Sequence, residues 1–183
     1  MATKKTKLYL ICFIGVCVFL ISACSNKNST SVNTIKVGEV YQFDPSDNTT
    51  VYFELRDDNS YVEMRNNAQY KTQEELDEKR YDNEDTSIVP QIDYVTGTYT
   101  KDSNYIYMTP KALTYVQFNN VADVSKKIVS EVQKKDNYNI NNNYRILNLE
   151  DTVTVSSRKL KVIKSNKKLP HSEDEFLSQY NYN

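Results

Sequence analysis

Histidine occurs once, tryptophan never and glycine three times in 183 residues. The three cysteines, Cys12, Cys17 and Cys24, all fall at or before position 24. Histidine is the usual general base and metal ligand near neutral pH. The one present, His171, stands between Pro170 and Ser172-Glu173-Asp174-Glu175. That run reads as a helix cap, so a solvated residue beside the cap is expected there. With no cysteine after Cys24 and the one histidine beside a helix cap, Ser-His-Asp, Cys-His and zinc centres are effectively excluded. Gly15, Gly38 and Gly97 are too few and too scattered to build a phosphate-cradling loop. The sequence therefore assigns no catalytic residue, no metal site and no cofactor.

What is there begins at the N-terminus. Met1 to Tyr9 carries Lys4, Lys5 and Lys7 and no acid. Leu8 to Ile21 is mostly apolar over 14 residues, two turns short of the ~20 that a membrane-spanning helix requires. Small residues then close the run at Ile21-Ser22-Ala23-Cys24. A basic start, a short apolar core and a small-residue terminus describe an export signal. The residues Ile21, Ser22, Ala23 and Cys24 closely resemble the lipobox of bacterial lipoproteins. That resemblance implies cleavage between Ala23 and Cys24, a diacylglyceryl group on the Cys24 sulfur, and a place on the extracytoplasmic face of the cell membrane. Two acyl chains bind a bilayer stably at about 0.8 kcal/mol per buried methylene, so no protein span is needed. Cys12 and Cys17 would leave with the signal and Cys24 would become a thioether. The mature domain would then be stabilised by its core alone, without disulfides.

On this reading residues 1–23 are signal, 24–33 the lipidated cysteine and its tether, and 34–183 a single domain. Removing the signal leaves 160 residues, enough to bury roughly two-thirds of the unfolded surface. The signal holds three of 23 basic residues and none of 24 acids, so the mature charge is near −4. This argues against nucleic acid, which calls for a basic stripe, and against a polybasic surface that hugs anionic lipid. Frequent Asn, Lys, Tyr and Ile point to an AT-rich, low-GC Gram-positive genome. Ser25 to Asn33 is polar except for Val32 and forms a spacer of about 15–18 Å.

From Thr34 the apolar residues alternate with period two, the pattern of half-buried strands. Ile35, Val37, Glu39, Tyr41 and Phe43 mark the first. Val51, Phe53 and Leu55 face one way in the second, with Tyr52, Glu54 and Arg56 opposite. Asp57-Asp58-Asn59 then turns the chain into a strand through Tyr61, Val62 and Met64. Tyr94 to Tyr99 and Tyr105 to Thr109 form another hairpin about Lys101-Asp102-Ser103-Asn104. Pro110 is expected to end it, with Leu113 to Phe118 a separate strand. Tyr144 to Leu149, Thr152 to Ser156 and Leu160 to Lys164 complete eight or nine strands.

Three helices interrupt them. Thr72-Gln73-Glu74-Glu75 and Ser172-Glu173-Asp174-Glu175 are capping boxes. Val121, Val124, Ile128 and Val132 recur at helical spacing after Asn119 and Asn120, predicting a helix through Val132. Phe176, Leu177 and Tyr180 share one face of the C-terminal helix, which should dock on the sheet. The fold class is thus mainly β, a single antiparallel meander closed as a barrel or doubled as a sandwich to hide its edges. Gly97-Thr98-Tyr99, the turn, and Tyr105 to Thr109 resemble a hairpin of small lipocalin-like bacterial lipoproteins. The pair around Leu149 to Val162 is similar to the closing hairpin of such domains.

Acids cluster in turns and caps, at Asp57-Asp58, Asp82-Asn83-Glu84-Asp85 and Glu173-Asp174-Glu175. None has the spacing of a calcium loop. Most of the 15 tyrosines fall on strands, where they stabilise sheets. Tyr99, Tyr105, Tyr107 and Tyr115 are the candidate ligand contacts, since tyrosine gives large contact area with a polar tip. The leading functional expectation is a non-enzymatic binding module held at the membrane by its diacylglyceryl anchor. Its partner would be a small apolar ligand, a peptide such as a bacteriocin, or an envelope protein. An envelope assembly or immunity role is the alternative. A carboxylate-dependent hydrolase would require two acids facing across a cleft.

Overall fold

The alternation of apolar residues turns into a ring of hydrogen-bonded strands in the computed structural model, which describes residues 35–43, 49–138, 144–147, 152–155 and 158–182. The ring is built from β1 (Val40–Phe43), β2 (Thr50–Leu55), β3 (Ser60–Asn66), β4 (Gln91–Lys101), β5 (Tyr105–Gln117), β8 (Tyr144–Leu147), β9 (Thr152–Val155) and β10 (Arg158–Lys164). Each pairs antiparallel with its neighbour in that order, and β1 closes the circuit on β10 through Tyr41 opposite Lys164. This is the barrel, and not the sandwich. β7 (Glu131–Asp136) adds to the second half of β5, where β8 no longer reaches. β6 (Ile128–Val129) and β11 (Asn181–Tyr182) form a small parallel pair beside it.

Inward positions carry large side chains. Tyr41, Phe43, Phe53, Leu55, Tyr61, Tyr99, Ile106, Met108, Ile146 and Val162 form one buried cluster inside the barrel. Phe53 packs between Tyr41 and Phe43, with ring centroids 5.6 and 5.0 Å away. Ile35 joins the same cluster. The first strand is thus shorter than its alternation suggested: residues 35–39 form a turn, with Gly38 at φ +75° donating its N–H to the Leu55 carbonyl at 2.8 Å.

Two other expectations are corrected. Pro110 does not end a strand, because it sits at a bulge where a missing ladder donor costs little. Thr96 pairs with Ala112 and Gly97 with Pro110, leaving Lys111 as an extra residue on β5. The bulge turns the strand over, so Ile106 and Met108 face inward before it and Leu113 and Tyr115 after it. The helix expected through Val132 ends after six residues, as α2 (Val121–Lys126). Lys127 adopts the left-handed conformation at φ 58°, and the β-branched residues beyond it extend as β6 and β7.

Both expected caps form, with each carboxylate arm reaching one residue further back, Glu75 Oε2 to the Lys71 N–H and Glu175 Oε2 to the His171 N–H. Thr72 caps α1 (Gln73–Asp82), accepting from the Glu75 N–H at 3.2 Å, and Leu76 is its one buried residue. Ser172 caps α3 (Glu173–Leu177). Phe176 lies in a second cluster with Val62, Met64, Val116, Phe118 and Leu169 on the outside of the barrel. Its ring stacks on Tyr94 at 5.1 Å and 13°. Arg56 fixes the approach by donating to the Pro170 and His171 carbonyls at 2.9 Å each. The C-terminal segment therefore straps the outer wall.

Two substitutions probe these contacts. A Cβ on Gly97 would stand 2.5 Å from Tyr61 Cε1 and 2.9 Å from Pro110 Cα, and closer still to the Thr109 carbonyl oxygen. Gly97→Ala should lower stability by about 1–3 kcal/mol or more through overpacking, read as a fall in urea midpoint at constant m-value. Phe176→Ala should cost about 3–5 kcal/mol and raise hydrogen exchange first in residues 169–182. Uniform exchange throughout the chain would show that the strap is not a separable unit.

Candidate functional site

One stretch of the inner wall is polar, and register explains how it is assembled. Directly opposite residues of paired strands share a face. Arg65 lies opposite Asp93, Asp93 opposite Tyr115, and Tyr115 opposite Gln133. The adjacent row runs Glu63, Val95, Leu113, Lys135, and the next pairs Gln91 with Gln117. Both rows continue the face that carries Tyr61 and Tyr99. The bulge at Lys111 keeps Tyr115 and Gln117 on it, since without that extra residue their side chains would point outward.

Two carboxylates are buried here. Glu63 is 1% exposed and forms an ion pair with Arg65 through Oε1. Its Oε2 is buried without a hydrogen-bond partner among the described residues. Burial holds the Glu63 carboxyl above its ordinary range, the Arg65 charge opposes that rise and the Asp93 charge adds to it. Asp93 is 6% exposed and accepts from Gln91 Nε2 at 2.5 Å. Burial raises its pKa as well, against the Gln91 hydrogen bond and the charges of Arg65 and Lys135. Gln117 Nε2 donates to Gln91 Oε1 at 2.8 Å, and Lys135 Nζ stands 5.5 Å from the Tyr115 ring centroid. Two buried acids thus share the field of one guanidinium, with a lysine at the rim.

Such a network fixes strand register more readily than it reacts. A one-residue slip of β3 on β4 would part Asp93 from Arg65 and leave its buried charge unpaired, at a cost of several kcal/mol, while Glu63 and Arg65, two residues apart on one strand, would move together. A hydrolytic pair would need a cleft between its acids, whereas both carboxyls are walled in by their neighbours.

The tyrosines singled out from the sequence do not converge. Tyr99 faces the core and donates its hydroxyl to the Arg56 carbonyl at 3.1 Å. Tyr115 lies in the polar row. Tyr105 and Tyr107 are half-buried on the outer face of β5, with rings 6.0 Å apart at 50°. The barrel wall separates the two pairs. His171 is exposed beside the Ser172 cap, its backbone N–H donating to Glu175 Oε2 at 2.6 Å. Asp85 turns onto Ser87, and no group of three or more metal-ligating side chains comes together among the described residues. Ile21, Ser22, Ala23 and Cys24 lie outside the described residues.

Glu63, Arg65, Asp93 and Lys135 escaped the sequence reading, although the signal was available. Glu63 and Arg65 continue the alternation of inward Tyr61, and Asp93 that of Val95 and Tyr99. A charge in phase with core residues marks a polar group to be satisfied inside.

The raised pKa values have a definite sign. The folded chain keeps these protons to higher pH than the unfolded chain, so both groups contribute stability toward acid. That contribution is lost as pH rises from the ordinary carboxylate value of 4.5 for Glu63 through its elevated folded value. The urea midpoint of the wild type should therefore climb, relative to Glu63→Gln, as pH falls from neutrality toward 4.5. Parallel curves for the two proteins would mean that Glu63 titrates alike folded and unfolded.

No protein-family model, no curated protein and no solved structure matches the chain.

Proposed function

We propose that the chain is a membrane-anchored extracytoplasmic lipoprotein whose barrel binds a peptide or envelope protein and catalyses nothing. The observation that carries this reading is the order of three basic residues, a short apolar core and Ile21-Ser22-Ala23-Cys24 at the N-terminus. The barrel is consistent with it, since Ile35 enters the core directly after the tether residues. Contact on the outer wall is favoured over capture of a small apolar ligand, because aromatic and aliphatic side chains already occupy the interior of the described strands. Tyr105 and Tyr107, half-buried on the outer wall, remain the candidate contact residues. An immunity or assembly role would work through the same kind of contact. The anchor raises the local concentration of the barrel at the membrane, so modest affinity for an envelope partner suffices.

Expression with a fatty-acid label tests the anchor. Wild-type protein should take up label, sediment with membranes and lose residues 1–23, while Cys24→Ala should stay unlabelled and uncleaved. A Cys24→Ala chain trimmed at Ala23 and released as efficiently as wild type would contradict the lipoprotein reading. Native mass spectrometry of the wild type then reports acyl mass together with any peptide or protein retained.

A further inference from the structure

The mature chain is acidic overall, yet its charge is segregated. From Thr152 to Ser172 there is no acid, and the stretch carries Arg158, Lys159, Lys161, Lys164, Lys167 and Lys168. The ladder of β10 on β1 runs one residue further, with the Ser165 N–H donating to the Val40 carbonyl at 2.8 Å, and Leu169 then packs on the outer face with Val40. The segment also crosses β2, where Lys167 Nζ lies 4.3 Å from the Tyr52 ring centroid. The same flank receives the chain from the tether. Gly38, Glu39 and Val40 share one concavity of about 440 Å³ with Lys164, Lys167 and Lys168.

Three features of this flank point to a lipid surface. Val37, beside Gly38, is 42% exposed, and only Tyr81 and Tyr182 join it as exposed large apolar side chains among the described residues. Lys36, Lys161 and Lys168 are exposed and make no ion pair among the described residues. The acids nearby are mostly engaged. Glu39 pairs with Lys164 at 2.8 Å, Glu54 stands 3.9 Å from Arg56, and Asp58 accepts from Ser60. Asp57 and Asp58 follow the end of β2 to which Gly38 bonds, so they border the flank, and the contact falls on its lysine-bearing side.

We infer that the flank formed by residues 36–40 and 161–168 docks on anionic phospholipid headgroups, setting the barrel on its side against the membrane. Lysine ammoniums would meet lipid phosphates while Val37 enters the interface. The inference rests on the lipid-anchor reading, because only a tether ending at this flank brings it within reach of the bilayer. Each lysine near an anionic leaflet strengthens contact roughly five-fold, an effect that fades with salt. Outward presentation follows for the opposite wall.

The acylated mature protein in vesicles provides the test. Asn166→Cys places a fluorophore on the flank and Ser103→Cys places one on the β4–β5 turn, across the ring from β1 and β10. Both are read against a quencher attached to lipid headgroups. In phosphatidylcholine vesicles containing about 30 mol% phosphatidylglycerol, the label at position 166 should be quenched several-fold more than that at 103. The difference should vanish in about 0.5 M salt, in pure phosphatidylcholine, and in a Lys36→Gln/Lys161→Gln/Lys168→Gln variant. Equal quenching of the two labels, or indifference to phosphatidylglycerol, in protein that still floats with vesicles would overturn the docking and leave the anchor standing. Protein that floats with neither kind of vesicle would overturn both.

Discussion

At Gly97 two strands and an aromatic ring converge where no side chain could fit. The Tyr61 ring occupies the space a Cβ would need, while Pro110 and the Thr109 carbonyl press in from the neighbouring strand. One residue later the register of β4 on β5 shifts and Lys111 is left over. Close approach and bulge together let β5 change face in mid-course. Its first half can then close the ring with β8 while its second half turns out to meet β7. A straight, unbulged β5 would put Leu113 and Tyr115 on the outer face, and the second half of the barrel wall would lose its lining.

The polar row depends on that reversal. Arg65, Asp93 and Tyr115 stand side by side only because β5 has already turned over when it passes β4. Burial makes the arrangement demanding. Glu63 and Asp93 both bear raised pKa values, and Arg65 answers for the charge of each. The more economical core would be wholly apolar, so the charges are better understood as a lock on strand alignment than as a source of stability. They tie β3 to β4, and the Gln117–Gln91 hydrogen bond ties β5 to β4, at the end of the barrel where β7 departs.

Outside, the C-terminal strap completes the burial of a sheet that is covered on both faces. Val62, Met64 and Tyr94 point away from the barrel interior, yet they are buried beneath Leu169 and Phe176. Its approach runs over β1 and β2 beside the turn at Gly38, which places lysines and residues 38–40 on one flank. Net charge concealed this segregation: an acidic total and a locally basic flank coexist because the acids are concentrated in other turns and in α1.

Local chemistry was legible in the chain. Period-two alternation marked the strands, Thr72 and Ser172 marked two helix starts, and the face containing Val51, Phe53 and Leu55 was evident from their spacing, because each of these signals is written within a few residues. Pro110 and the Val121 to Val132 stretch misled for a related reason. A proline's effect depends on whether its missing donor has a partner strand, and β-branched residues at helical spacing extend when β5 offers an edge to pair with. The sequence by itself determined a β-rich chain with capped helices and a lipobox-like N-terminus. Only the tertiary structure decided that the meander closes, that β5 turns over, and that Glu63, Arg65 and Asp93 meet. Those outcomes hinge on the register between strands far apart in the chain, which no local pattern encodes.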